Sequence, residues 1–196
     1  MILAFLLLIG IAHYFAQKNG FNWIEYELSG LVFGGTISKT IFIITCISTG
    51  ICLCIVLIPL GWFMHAKNLQ VGYLIQSFVS SIALIGLGIF PLDTYALAHN
   101  IFTSIFFVSI GILQLYISII IFKYQKKVPI FYTLLGVLTF GVILFHCVTR
   151  WFFGKSITQR LAVFISMLFV IMIYGYLVFN LDLSRLMIEN LENKNE

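Results

Sequence analysis

The sequence predicts an all-α fold, a polytopic membrane protein arranged as an antiparallel bundle of six transmembrane helices. Three observations lead there. Of its 196 residues, 61% are hydrophobic and 9% are charged, whereas a soluble domain carries about a quarter charged residues. Six apolar runs follow one another, near 1–17, 39–64, 70–90, 98–122, 129–150 and 158–180. Each is long enough, or nearly so, to cross about 30 Å of hydrocarbon as a helix. The runs are continuous, without the alternation of a membrane β-strand. Inside lipid, the backbone must then satisfy itself within each helix.

The first run, "MILAFLLLIGIAHYFAQ", lacks a basic leader and an A-x-A-like cleavage site, so it is expected to stay as a helix. The connection after it is the longest, "KNGFNWIEYELSGLVFGGTIS". It mixes Phe21, Trp23, Tyr26, Leu31 and Phe33 with Glu25, Glu27 and four glycines. That composition suits the membrane interface. It reads as a surface loop or short amphipathic helix, with a lid over a site between helices as the alternative. The later joins "HAKNLQ", "FPLDTYALA" and "KYQKK" are short, so consecutive helices should be antiparallel neighbours. Pro91 and Pro129 punctuate two of them. Residues 1–182 make one transmembrane domain, and 183–196 a polar C-terminal tail.

With six spans the termini share a side. That side receives Lys67, Lys123, Lys126, Lys127, Arg185 and Lys194, against Lys18, Lys39, Arg150, Lys155 and Arg160 on the other. The dense "KYQKK" loop favours cytoplasmic termini in a cell membrane. A net charge of +4, scattered along the chain, gives no nucleic-acid footprint. Cys46, Cys52, Cys54 and Cys147 form no C-x-x-C motif and read as small buried hydrophobes.

Polar residues inside spans are costly and mark function. In the fifth run Tyr132, Gly136, Thr139, Ile143, His146 and Arg150 share one helix face. In the fourth, His99, Thr103, Gln114 and Ser118 do so. His13 and Gln17 end the first run, one turn apart. Antiparallel folding brings His13, Gln17, Asp93, His99, His146 and Arg150 to one membrane level. Asp93, the only aspartate in the first hundred residues, is expected to neutralise Arg150 there. His65 belongs to the opposite end.

Three short motifs carry a resemblance. "GIFPLD…AHNIFTSIFF", "YELSGLVFGG" and "GKSITQRLAVF" resemble the signatures of the six-helix membrane family known as domain of unknown function 998. The family's G-x-F-P segment is followed by a histidine opening the next helix. Its last helix begins G-x-x-E-R-[IL], and here Gln159 stands in place of the glutamate. A more distant likeness is to DRAM-like membrane proteins. The resemblance implies the six-helix fold and highlights Phe90, Pro91, His99 and Arg160. It implies no substrate.

Four functions compete. The first is a lipid-binding or membrane-accessory protein, with Asp93, His99, His146, Arg150, Lys155 and Arg160 as the ligand site. The basic residues would hold a lipid phosphate and the loop around Trp23 would cover it. The second is a zinc-dependent lipid hydrolase using His13, His99 and His146. The third is a structural or assembly protein with a membrane-protein partner. The fourth is a haem b redox protein with His99 and His146 as axial ligands. No cofactor is firmly implied, and no two of the histidines form an H-x-x-x-H pair.

Overall fold

The structure is a computed structural model, which describes residues 2–22, 26–62, 67–124, 130–149 and 155–180. Its described elements are all helical. They are α1 (Ile2–Lys18), a 3-10 segment (Leu28–Phe33), α2 (Thr36–Trp62), α3 (Lys67–Ile89), α4 (Ala96–Tyr124), α5 (Ile130–Thr149) and α6 (Lys155–Asn180). Among the described residues, four stretches are long and apolar enough to cross a membrane: Thr36–Ile58, Gln70–Ile89, Ala96–Ile119 and Ile130–Thr149. Leu3–Lys18 and Ile157–Ile173 are shorter apolar helices. This is an integral membrane protein. The tail 183–196 lies outside the described residues.

Register shows how the helices run. Gly88 of α3 lies against Ile43 and Ile47 of α2, whereas Gly50 lies against Ser81 and Ile85. Gly86 meets Phe102, and Gly72 meets Tyr116. Gly111 meets Ile143, and Gly136 meets Ser118. In each pair the partner's number falls as the first rises, so α2 through α5 are antiparallel neighbours. His146 beside Thr158 and Gly136 beside Phe169 extend the pattern to α6. Small residues make these approaches possible. At Gly136 a single added methyl would overlap the Ser118 side chain.

The buried polar residues of the core follow the same logic. Thr45, Ser80, Ser81, Thr103, Ser118 and Thr139 are buried. Each hydroxyl donates to the carbonyl four residues back, at 2.6–2.9 Å. A hydroxyl satisfied on its own helix can sit at an apolar interface without a desolvation penalty.

Packing is sequential. α1 packs on α2, α2 on α3, α3 on α4, α4 on α5 and α5 on α6. The two terminal helices share no interface of comparable extent among the described residues. Both instead rest on the 3-10 segment, which also packs on α2. The bundle is therefore a ring with a seam between α1 and α6, bridged at one end.

Candidate functional site

The site is built at the bridged end, where α1, α3 and α5 finish and α2, α4 and α6 begin. α1 stops in a Schellman turn. Gly20 takes φ +79°, and the amides of Gly20 and Phe21 donate to the carbonyls of Gln17 and Ala16 at 3.0 and 3.2 Å. Asn19 then reaches across, its Nδ2 donating to the Gly34 carbonyl at 2.6 Å. This closes the long connection at its base. Ala16 lies directly against Gly34, so α1 and α2 touch where the loop returns.

Between those anchors the connection folds inward. Ser29, Gly30, Leu31 and Val32 are buried. Ser38 Oγ donates to the Leu31 carbonyl at 2.8 Å. Two α6 side chains fix the segment from the other side. Gln159, itself buried, accepts the Leu28 amide through Oε1 at 2.7 Å. Arg160 donates to the Tyr26 carbonyl at 2.8 Å. The segment is thus a plug in the bundle end rather than a strip on its surface. Trp23 and Glu25 lie outside the described residues.

The α3–α4 turn is held by its own residues. The amides of Thr94 and Tyr95 donate to the Pro91 carbonyl at 3.1 and 2.9 Å. His99, 1% exposed, has Nδ1 2.8 Å from the Phe90 carbonyl. A carbonyl only accepts, so Nδ1 carries the proton. Phe90 stacks on Phe102 with centroids 5.4 Å apart.

Asp93 is bound to α2. Its carboxylate accepts from Lys39 Nζ at 2.6 Å and from Thr94 Oγ1 at 3.2 Å. Burial alone raises this carboxyl. Hydrogen bonding and charge from Lys39, with help from Thr94 and the Asp93 backbone, outweigh it and hold the group below its ordinary 3.8. Arg150, the partner expected from the sequence, lies outside the described residues, and so does His65. Lys155 opens α6.

His146 is buried. Its Nδ1 is 3.0 Å from Thr158 Oγ1, and Phe107 packs edge-on against the ring at 4.8 Å. His13 lies on α1, with Nε2 3.3 Å from Gln17 Nε2 and Phe21 edge-on at 5.8 Å. The three histidines are thus each engaged on a different element. No group of three His, Cys, Asp or Glu side chains among the described residues has the spacing to hold a metal ion.

Below the plug lies a cavity of about 140 Å³. Leu28 and Ser29 roof it, and Phe5, Phe42, Phe106 and Val163 wall it. Its polar lining is sparse and includes His99, Thr103, Gln114, Gln159 and Ser166. A second cavity of about 250 Å³ shares Leu53, Ile110, Gln114 and Val170 with the first. Gln114 is the single polar side chain on its wall. From His99 to Ile117 the pair follows α4 for about 27 Å at 1.5 Å per residue. Sequence reasoning placed His99, Thr103 and Gln114 on one face but missed Gln159 as an anchor. The resemblance offered a signal, since Gln159 stands where its last-helix motif implies a glutamate.

The family model described as Protein of unknown function (DUF998) matches residues 1–175, and the chain belongs to that family. No curated protein and no solved structure matches it.

Proposed function

We propose that this DUF998 protein is a six-span membrane protein that holds one hydrocarbon chain of a membrane lipid inside its bundle. One observation carries the reading, namely two adjoining, almost wholly apolar cavities that follow most of the length of a spanning helix. Size limits the occupant. An apolar cavity near 150 Å³ takes a molecule the size of benzene, and drug-sized ligands need roughly 300–1,000 Å³. Volumes of about 140 and 250 Å³ therefore suit one chain and not a two-chain phospholipid. The rest of the lipid would stay in the bilayer.

The seam between α1 and α6 is the natural route in. Phe5 and Ile9 of α1 face Val163, Met167 and Val170 of α6 across the first cavity, and the plug blocks the direct route from the water. A phosphate headgroup would meet Arg160 at the bundle end, and the sequence offers Arg150 and Lys155 as further basic residues for it. Termini in the cytoplasm of a cell membrane complete the reading.

Native mass spectrometry of protein in mild detergent tests it. Wild-type protein should retain lipid. Val170→Trp, at the junction of the two cavities, should lower retention at least fivefold while the protein stays folded. Equal retention by the folded variant would overturn the reading.

A further inference from the structure

Gln114 is 1% exposed and sits on the wall common to both cavities. Its Nε2 donates to the Ser166 carbonyl of α6 at 3.5 Å. Exchanging the amide oxygen and nitrogen would set two carbonyl oxygens against each other, so this long contact favours the present amide orientation. Oε1 is left fully buried with no hydrogen-bond partner among the described residues, and Ser166 Oγ is in the same condition. Buried polar atoms nearly always find a partner, and leaving one without costs free energy. Two such atoms lie here, one on α4 and one on α6, both lining the same apolar cavity.

Their chemistry is complementary. Gln114 Oε1 can only accept. Ser166 Oγ can donate as well as accept. A hydroxyl on the ligand satisfies both, donating to Oε1 and accepting from Oγ. A ketone, ester or ether cannot donate to Oε1. A carboxylate would place a second acceptor against Oε1 and a charge among Leu53, Ile110 and Val170, where desolvation forbids it. We infer that the lipid chain held in this cavity is hydroxylated, and that Gln114 with Ser166 reads its hydroxyl. This rests on the cavity being a lipid-chain site and adds the class of lipid it selects.

The position of the pair sets where the hydroxyl lies. Gln114 is about 22 Å along α4 from His99 at 1.5 Å per residue. The hydroxyl is therefore on the body or far end of a chain whose other end lies at the plug, well separated from the headgroup.

The experiment is competition against a fluorescent fatty acid bound to the full-length protein in detergent, using stearic acid and its mid-chain and terminal hydroxy derivatives. One of the hydroxy acids should bind wild-type protein about tenfold more tightly than stearic acid, because a site built to hydrogen-bond a hydroxyl rejects the analogue lacking it. Gln114→Leu should abolish that preference by weakening the hydroxy acid while leaving stearic acid bound. Should Gln114→Leu not fold, the wild-type comparison alone decides. Equal affinity for all three acids in wild-type protein would overturn the inference and leave the lipid-chain reading standing. Failure of every acid to displace the probe, with Val170→Trp retaining as much lipid as wild type, would overturn both.

Discussion

Two connections meet at the same end of the bundle and are held in opposite ways. The α3–α4 turn is local. Pro91 accepts from Thr94 and Tyr95, and His99 reaches back nine residues to Phe90. The α1–α2 connection is held from far away, with Leu28 bound by Gln159 and Tyr26 by Arg160, more than 130 residues along the chain. The first can form as soon as its own helices do. The second is complete only once α6 has joined the bundle. One end of the protein thus contains a rigid corner held by its own bonds and a plug anchored from a distant helix, and the cavity lies under the plug.

Substitutions can break each connection separately. The largest effect is expected at the rigid corner. His99→Ala deletes a fully buried ring and leaves the Phe90 carbonyl without its donor, which should cost about 2–4 kcal/mol, read as thermal stability in detergent. At the plug, Gln159→Ala strands the buried Leu28 amide at a cost of about 1–2 kcal/mol. Its distinctive sign is local, because hydrogen exchange should rise across Leu28–Phe33 and stay unchanged in the α3–α4 turn. Equal acceleration in both segments would refute the separation. Gln159→Glu supplies another acceptor for the same amide and should restore protection of that segment.

The smallest effect belongs to the Lys39–Asp93 pair, which joins the corner to α2. Its side chains are 30% and 26% exposed, so a double-mutant cycle should give a coupling below about 1 kcal/mol. The carboxyl titrates below its ordinary 3.8 when folded. Its contribution is therefore present at neutral pH and lost as pH falls through that lowered value. A coupling that persists undiminished well below pH 3.8 would show that charge is not its basis. Independently, tags at Glu196 and in the "KYQKK" loop should report one compartment, and opposite compartments would refute six spans.

The helices were legible because a spanning segment must be apolar throughout, and Pro91 marks its turn unaided. Short joins imply antiparallel neighbours, and the glycine register from α2 to α6 has that form. What stayed hidden depends on contacts between distant segments. Asp93 and Lys39 are both visible as charges, yet nothing local pairs them. Their meeting requires α2 to start beside the α3–α4 turn, which the plugged connection arranges. The cavity was hidden for a related reason. Its walls are mostly Phe, Leu, Ile and Val, indistinguishable in sequence from side chains that fill space. Among its few polar wall residues Gln114 lies far along α4 from the bundle end, and helical periodicity had already put it on the face of His99.

A ring interrupted between α1 and α6 has a mechanical property that a closed bundle lacks. A closed bundle answers squeezing by the surrounding bilayer along every interface at once. Here the compliance gathers in one slit, with the bridged end as fulcrum and the lower lengths of α1 and α6 as jaws. Bilayer tension or curvature that changes lateral pressure at their depth acts on the slit width directly. On the proposed reading, occupancy of the chamber behind it would depend on the state of the membrane as well as on the concentration of lipid.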